Sequence, residues 1–293
     1  MHIAYINKSF STKSMVTIDQ ANTIIDKYRA DGFILTLRQL YYQFVSRDLI
    51  PNQQTEYKRL GSIINDGRLA GLIDWSAIED RTRNLKNLSH WDSPRDIIDS
   101  AVHSYRRDHW EGQSNYVEIW CEKEALSGIF EQAANRWDVP HFSCRGYVSQ
   151  SEMWRAAIRL IGMIDEGRDV YILYFGDLDP SGIDMDRDIY ERLNLFGCPA
   201  TVERMALTSP QITQYDPPPN PAKITDSRCK AYIQIYGHDS WELDALEPMV
   251  LSDIVENRIR SLIDQDQWDE IISKEQGEKY WLRSTAESWK EAE

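Results

Sequence analysis

Near the start of the chain, hydrophobic residues recur with the spacing of an amphipathic helix in three segments. The segments cover 17–30, 36–47 and 56–70. Two of them begin with a threonine that is followed three residues later by a glutamine, which is the pattern of a capping box: Thr17 with Gln20, and Thr36 with Gln39. The sequence therefore predicts three short helices joined by tight turns.

From residue 113 onward, runs of β-branched and aromatic residues alternate with helical segments. The runs cover 116–121, 141–144, 170–175 and 201–207. Strands that alternate with helices through short loops predict an α/β fold with a doubly wound parallel sheet. After the fourth run, the proline-rich segment 209–223 predicts an extended surface loop.

These patterns divide the chain into four predicted parts. They are a helical module (1–78), a polar helical connector (79–112), an α/β domain (113–263) and an acidic helical tail (264–293). Three short helices followed by a short extended piece match a winged-helix or helix-turn-helix module. Because that pattern is common, it is weak evidence for DNA binding on its own.

Acidic side chains follow two of the predicted strands at the points where they end. Glu122 comes directly after the first strand, and Asp177 and Asp179 follow the third. Because the carboxyl ends of parallel strands meet at one edge of a sheet, these carboxylates can converge. Clustered carboxylates repel each other unless a cation lies between them, and oxygen ligands suit a hard divalent metal ion. The sequence predicts a divalent-metal site here, with capping of the following helices as the alternative.

Three further acids are candidates for the same site. Asp184 follows Asp179 by five residues, and Glu242 and Asp244 lie in the segment WELDAL. For Glu242 and Asp244 we favour a helix-capping or surface role over a role at the metal.

Charge is distributed unevenly along the chain. The whole sequence has a formal net charge of −14, but residues 1–110 carry a net charge of +2 and the remainder −16. An acidic chain is not a general nucleic-acid binder, so if the chain binds DNA, the amino-terminal third is the expected surface. The alternative is an ordinary solvated surface. The candidate DNA contacts are Lys58, Arg59, Arg68, Arg81, Arg83 and Lys86.

Other features of the sequence predict where in the cell the protein is found. No run of about 18 uncharged apolar residues occurs, so no membrane span is predicted. The first residues, MHIAYINKSFSTKS, lack the apolar core of a secretory signal. The four cysteines show no C-x-x-C spacing, which predicts reduced thiols in a cytoplasmic or nucleoid-associated protein.

Two blocks of sequence resemble one family of DNA-cleaving proteins. CEKEA (121–125) and GDLDPSGID (176–184) are similar to the Toprim domain of type IIB topoisomerase (topoisomerase VI) A subunits and the related meiotic double-strand-break transesterases. RQLYYQF (38–44), followed by SIINDGRLAGLI (62–73), resembles the winged-helix segment that carries the catalytic tyrosine in that family. The resemblance covers about residues 17–262. Within the family, the chain most resembles the small stand-alone Mini-A members found in mobile elements.

The resemblance implies a chemistry and an assembly. It makes Tyr42 the nucleophile and Arg38 a phosphate contact. The magnesium ligands would be Glu122, Asp177 and Asp179. The product would be a double-strand break with protein joined to the 5′ ends, made by a homodimer in which each tyrosine faces the partner's metal. The sequence has no G-x-x-x-x-G-K-[ST] motif, so ATP-driven strand passage would need a separate ATPase subunit.

The helical pattern distinguishes the two adjacent tyrosines without reference to the family. One apolar face is formed by Leu37, Leu40, Tyr41, Phe44 and Val45. Tyr42 is turned about 100° away from Tyr41 and shares its side of the helix with Arg38. We therefore expect the Arg38 guanidinium to favour the Tyr42 phenolate. An exposed tyrosine that stacks on its neighbours is the alternative.

Two other activities fit the same residues. In the first, the chain is a Toprim nuclease in which water, not tyrosine, attacks the phosphate. In the second, the chain is a non-catalytic DNA-binding subunit whose acidic cluster is only structural. Protein joined covalently to the cut DNA would distinguish the tyrosine mechanism from both.

Overall fold

The computed structural model describes residues 2–79 and 90–288. Within these residues the chain forms eleven α-helices and a four-stranded parallel sheet. The predicted α/β class is therefore confirmed. Across the same residues, no helix combines the length and apolar character needed to cross a lipid bilayer.

Three helices come first, as predicted: α1 (Thr12–Ala30), α2 (Leu37–Val45) and α3 (Gln54–Leu69). The predicted capping box of α2 is present, because Thr36 Oγ1 accepts a hydrogen bond from Gln39 N and Gln39 Oε1 accepts one from Thr36 N. The predicted start of α1 is wrong. Ser11 caps this helix, and Thr17 lies inside it and donates a hydrogen bond to the Lys13 carbonyl.

Of the predicted winged-helix module, the structure shows the three helices but not the wing. Between residues 2 and 79 the structure has single bridges, from Ala4 to Ala70 and from Leu35 to Ile78, and no strand pair that would form a wing. The winged-helix assignment therefore stays a prediction.

The predicted connector, 79–112, is described only in part. α4 (Pro94–Ser104) lies in its second half. Arg81, Arg83 and Lys86, three of the predicted DNA contacts, lie outside the described residues. The division of the chain into four parts remains a prediction.

The parallel sheet has the strand order β2-β1-β3-β4. Its strands are β1 (Asn115–Cys121), β2 (His141–Ser143), β3 (Asp169–Phe175) and β4 (Thr201–Ala206). The four predicted strands are confirmed, each to within one residue at its ends. The register pairs Cys121 with Phe175, so β1 and β3 end side by side. Residues that follow these two strands therefore start from neighbouring positions at the carboxyl edge of the sheet.

Helices cover both faces of the sheet, as expected of a doubly wound fold. α5 (Ser127–Trp137) and α10 (Pro248–Arg260) share one hydrophobic cluster with Leu173 and Phe175 of β3. α6 (Gln150–Asp165) and α7 (Pro180–Leu195) share a second cluster with Ile172 and Tyr174. Successive residues of β3 thus enter opposite clusters. This explains why the strand is apolar along nearly its whole length and does not alternate with polar residues.

The first of these clusters continues into the amino-terminal helices. Leu40 and Phe44 of α2 are fully buried in the same cluster as Leu243. Leu243 begins a short 3-10 helix (Leu243–Ala245) that packs on α2. This packing brings α2 next to the segment that carries Glu242, beside the carboxyl edge of the sheet.

The prediction of an extended loop over 209–223 is wrong for its first half. α8 (Ser209–Tyr215) occupies this part, and a capping box between Thr208 and Gln211 begins it. A proline is compatible with the first turn because its missing N–H has no helical partner there. The second half leads into β5 (Asn220–Pro221), which pairs with β6 (Asp239–Ser240), and α9 (Cys229–Tyr236) lies between them.

α11 (Gln265–Ser288) forms the predicted helical tail and packs on α4. Its anchor is Glu275, which is buried. The Glu275 carboxylate accepts hydrogen bonds from His109 Nε2 at 2.7 Å, from the Arg107 backbone N–H at 2.8 Å and from Lys279 Nζ at 2.6 Å. Burial alone raises the pKa of Glu275, but these hydrogen bonds outweigh it and lower the pKa to about 2.

Changing Glu275 to Gln is expected to lower the melting temperature at neutral pH and to lessen the sensitivity of the protein to acid. Because the folded-state pKa lies below the ordinary value of 4.5, the ionised carboxylate stabilises the fold above about pH 4.5. That contribution is lost as the pH falls toward 2. Thermal denaturation at a series of pH values should therefore show the wild-type advantage shrinking in this range.

The matched control is Glu287→Gln, which changes an exposed residue of the same helix. It should leave the melting temperature unchanged at every pH. A wild-type advantage over Glu275→Gln that stays constant or grows on acidification would contradict the role assigned to this carboxylate.

Candidate functional site

Glu122 and Asp177 meet at the carboxyl edge of the sheet. The Glu122 backbone N–H continues the ladder between β1 and β3 and donates to the Phe175 carbonyl at 2.8 Å. The Asp177 backbone N–H in turn donates to Glu122 Oε2 at 2.9 Å. Both side chains are buried, with 9% of Glu122 and 7% of Asp177 exposed. The structure thus brings together the first two acids that the sequence placed at this edge.

Asp179 is the cap of α7, which is the alternative considered for it from the sequence. Its Oδ1 accepts hydrogen bonds from the Gly182 backbone N–H at 2.6 Å and from Ser181 Oγ at 3.0 Å. Its Oδ2 has no hydrogen-bond partner in the part of the chain that the structure describes. The turn is tight, because a Cβ atom on Gly182 would overlap the Asp177 carbonyl oxygen. One oxygen of Asp179 therefore holds the turn, and the other remains available.

Arg204 of β4 fixes the turn that carries both aspartates. Its Nη1 donates to the carbonyls of Gly176 at 3.1 Å, Asp177 at 3.2 Å and Leu207 at 3.1 Å. Its Nη2 donates to the Gly182 carbonyl at 2.6 Å. Its Nε also donates to Asp186 Oδ2 at 2.9 Å. No sequence motif singled out this arginine, because most of its partners lie on other elements of the chain.

Lys123 supplies a positive charge inside the acidic edge. Its Nζ lies 2.8 Å from Asp177 Oδ1, 3.0 Å from Glu242 Oε2 and 3.6 Å from Asp244 Oδ2. Burial alone lowers the pKa of Lys123, but the three carboxylates outweigh it and raise the pKa. The residue stays charged as an internal counter-ion. Sequence analysis overlooked it, although it lies inside the CEKEA block.

Arg38 binds the same two distant acids as Lys123. It forms an ion pair with Glu242, and its Nε lies 2.8 Å from Asp244 Oδ2. Burial alone raises the pKa of Glu242, but Lys123 and Arg38 lower it to about 2. Glu242 and Asp244 thus belong to the acidic site. The helix-capping or surface role that we favoured for these two acids does not describe their positions. Glu242 makes no capping hydrogen bond to the short helix that follows, and Asp244 is buried.

Tyr42 is buried next to this network, with 4% of the residue exposed. The Arg38 guanidinium carbon lies 5.8 Å from the centre of its ring. Burial and Glu242 raise the pKa of Tyr42, and they outweigh Arg38, Asn220 and Lys123, which lower it. Arg38 alone lowers the pKa of Tyr42, as predicted. The prediction of a favoured phenolate is wrong in this arrangement because desolvation dominates.

Tyr41 packs into the core, as the helical pattern predicts. Its hydroxyl donates to Asn52 Oδ1 at 3.0 Å and to the Gln53 carbonyl at 3.2 Å. Tyr42, expected about 100° around the helix on the side of Arg38, is buried to the same extent. The difference arises because Glu242 and Asn220, from distant parts of the chain, close over that side of the helix.

Two adjoining cavities connect Tyr42 with the acidic edge. The first has a volume of about 410 Å³ and is lined by Tyr41, Tyr42 and Tyr57. The second, of about 460 Å³, is lined by Lys123, Asp177 and Asp179. Four residues line both cavities: Arg38, Asn220, Lys223 and Glu242. Tyr42, Asp177 and Asp179 of the same chain therefore line one cleft, whereas Glu122 lines neither cavity.

Asp184 does not join this cleft. It accepts hydrogen bonds from the Tyr147 hydroxyl at 2.6 Å, from Arg187 Nε at 2.8 Å and from Arg228 Nη1 at 3.0 Å. These partners lower the pKa of Asp184 although burial alone raises it. Its candidacy as an additional acid of the metal site is therefore not supported by its position.

The predicted DNA contacts on α3 are in different environments. Lys58 is exposed. Arg59 forms an ion pair with Glu56 at 2.6 Å. Arg68 donates to the Trp75 carbonyl at 2.6 Å and stacks on the Trp75 ring. Arg68 thus has a structural role, whereas Lys58 and Arg59 are exposed.

The donor set at the acidic edge fits a hard divalent cation. In the described ranges, no three acidic, histidine or cysteine side chains converge as a ready metal site. Burial, and after it the negative charge of the neighbouring Asp177, raise the pKa of Glu122 to about 7. Glu122, Asp177 and the available oxygen of Asp179 offer the oxygen ligands that Mg²⁺ prefers.

Comparison of the chain with protein-family models, with curated proteins and with solved structures gives no match. The resemblance to the topoisomerase VI A subunits therefore depends on the two sequence blocks alone. Arguments about function depend on those blocks and on the geometry of the cleft.

Proposed function

We propose that the chain is a magnesium-dependent DNA transesterase in which Tyr42 attacks a phosphodiester. The observation that carries this proposal is the shared cleft. Tyr42, three cationic side chains and three carboxylates of one chain line this cleft. The sequence blocks that resemble the topoisomerase VI A subunits contribute Tyr42, Asp177 and Asp179 to the same cleft.

In the proposed step, Tyr42 Oη forms a bond to phosphorus as the bond from phosphorus to the 3′ oxygen breaks. The phenolic proton passes to solvent, and the leaving 3′ oxygen takes up a proton. The product is a 5′-phosphotyrosyl DNA end and a free 3′ hydroxyl. When bound by Glu122, Asp177 and Asp179, magnesium would neutralise charge on the phosphate as this bond breaks.

Arg38 and Lys123 are the residues that would receive the phosphate. In the structure both are held by Glu242, at the junction of the two cavities. A bound phosphate would compete with Glu242 for them through charge-assisted hydrogen bonds. Displacing Glu242 would also remove a negative charge that raises the pKa of Tyr42.

The cleft is formed within one chain, whereas the family resemblance implied a tyrosine facing the partner's metal. Each chain would thus cut one strand, and a double-strand break would need a homodimer with two such clefts. Double-stranded DNA would reach the cleft along the amino-terminal helices. ATP-driven strand passage would require a separate ATPase subunit.

The test is covalent trapping on plasmid DNA. Purified protein with magnesium should give linear plasmid whose 5′ ends carry protein that resists detergent, and chelation of magnesium should prevent this. Free 5′ phosphates would instead support the Toprim nuclease, in which water attacks. That second function is favoured by one observation, the burial of Tyr42. DNA binding without any cleavage would support the non-catalytic subunit.

A further inference from the structure

The part of the cleft away from the carboxylates has an unusual lining. Three tyrosines contribute to it, with Tyr41 in edge-on contact with Tyr42 at 5.2 Å and with Tyr57 at 5.3 Å between ring centres. Tyr57 is half-buried and closes one side of the cavity. We call this cavity, of about 410 Å³, the tyrosine pocket. Its volume lies in the range of small-molecule sites.

Amide side chains accompany the rings. Asn52 Nδ2 donates to Asn220 Oδ1 at 2.7 Å, so these two amides are fixed against each other. Gln54 also lines the tyrosine pocket. Its side-chain amide makes no hydrogen bond within residues 2–79 and 90–288, and therefore offers both a donor and an acceptor. Flat aromatic surfaces combined with a free amide are the features that bind a nucleobase by stacking and by hydrogen bonds to its edge.

Positive charge lies at the end of the tyrosine pocket that adjoins the carboxylates. Arg38 and Lys223 line both cavities there. Lys223 is exposed, so its side chain is accessible to a bound phosphate. A nucleotide with its phosphate near Arg38 would place its base on the side of Tyr57 and Gln54.

We propose that the tyrosine pocket binds one unpaired nucleobase of the DNA, next to the phosphate that Tyr42 attacks. This inference rests on the proposed function for the identity of that phosphate. It adds that the DNA must present an unstacked nucleotide, so the protein should favour single-stranded or locally opened DNA over an intact duplex.

Binding without magnesium tests this inference separately from cleavage. The probes are a short single-stranded oligodeoxyadenylate and an oligonucleotide of the same length and charge in which every residue is abasic. Tyr57→Ala should weaken binding of the oligodeoxyadenylate about tenfold, as loss of one stacking contact does, and leave binding of the abasic probe unchanged. Cleavage of plasmid with magnesium, measured on the same preparation, reports on the proposed function independently.

Three further proteins make the result interpretable. Tyr57→Phe keeps the ring and should bind like the wild type. Gln54→Ala removes an exposed side chain with little risk to folding, and should also weaken binding of the oligodeoxyadenylate only. Tyr190→Ala, on the exposed face of α7, is the matched control and should change neither affinity.

The inference is overturned if both probes lose affinity equally in Tyr57→Ala and Gln54→Ala, or if neither probe binds the wild type. Deoxyadenosine 5′-monophosphate as a competitor distinguishes a free nucleotide from DNA. If deoxyadenosine 5′-monophosphate displaces the oligodeoxyadenylate at a concentration similar to that at which the oligodeoxyadenylate itself binds, the pocket binds a free nucleotide. That result also overturns the inference.

Discussion

Tyr42→Phe is expected to abolish the covalent protein–DNA product and to lower DNA cleavage by at least about 1000-fold, because the nucleophile is removed. The phenylalanine ring fills the same buried position and keeps its contact with the Arg38 guanidinium. DNA binding and folding should therefore be preserved. The measurements are detergent-resistant labelling of 5′ ends, affinity for DNA by fluorescence anisotropy, and thermal denaturation.

Tyr41→Phe is the matched control for this variant. It removes one hydroxyl from the neighbouring residue and with it the hydrogen bonds to Asn52 and Gln53, at a cost of about 1–2 kcal/mol in stability. Cleavage should persist. Covalent product that survives in Tyr42→Phe but disappears in Tyr41→Phe would show that the nucleophile has been assigned to the wrong tyrosine.

Asp177→Asn is expected to reduce magnesium-dependent cleavage by at least about 100-fold, because loss of a ligand charge weakens both metal binding and charge neutralisation. The fold should be retained, since the Asn carbonyl can still accept the hydrogen bond that the Leu243 N–H donates to Asp177 Oδ1 at 2.7 Å. Lys123 keeps its contacts with Glu242 and Asp244. Magnesium should raise the melting temperature of the wild type and have a smaller effect on the variant.

The control is Asp184→Asn, the same change in the same helix-opening segment but outside the cleft. It alters the contacts with Tyr147 and Arg228 and should leave cleavage and the effect of magnesium close to wild type. Equal loss of activity in both aspartate variants would argue that the segment acts only through its structure. Full activity in Asp177→Asn would remove the metal assignment altogether.

The sheet and its acidic edge were predictable because they follow from local pattern and a general rule of topology. Each strand is a short apolar run, and strands that alternate with helices are parallel, so Glu122 and Asp177 were expected at the same edge of the sheet. That β1 and β3 are direct neighbours at this edge is a feature of the strand order, which the structure supplies. The capping box of α2 was equally local, since Thr36 and Gln39 satisfy each other.

The partners of the acids could not be predicted in this way. Lys123 is bound by Glu242 and Asp244, which lie more than a hundred residues away along the chain, and Arg204 binds carbonyls on a different strand loop. No spacing rule connects such residues. The burial of Tyr42 has the same cause. Glu242 and Asn220, which belong to distant segments of the chain, lie on the side of α2 where the helical pattern predicted solvent.

Gly182 also sets a limit on how this protein can change during evolution. Because any side chain there would overlap the main chain of Asp177, no other residue can become established while the acidic turn keeps its shape. In any homologous protein, the residue at this position thus indicates whether the acidic turn is intact. A glycine there is compatible with an intact turn, and another residue indicates that the turn, and the carboxylates on it, have been rebuilt.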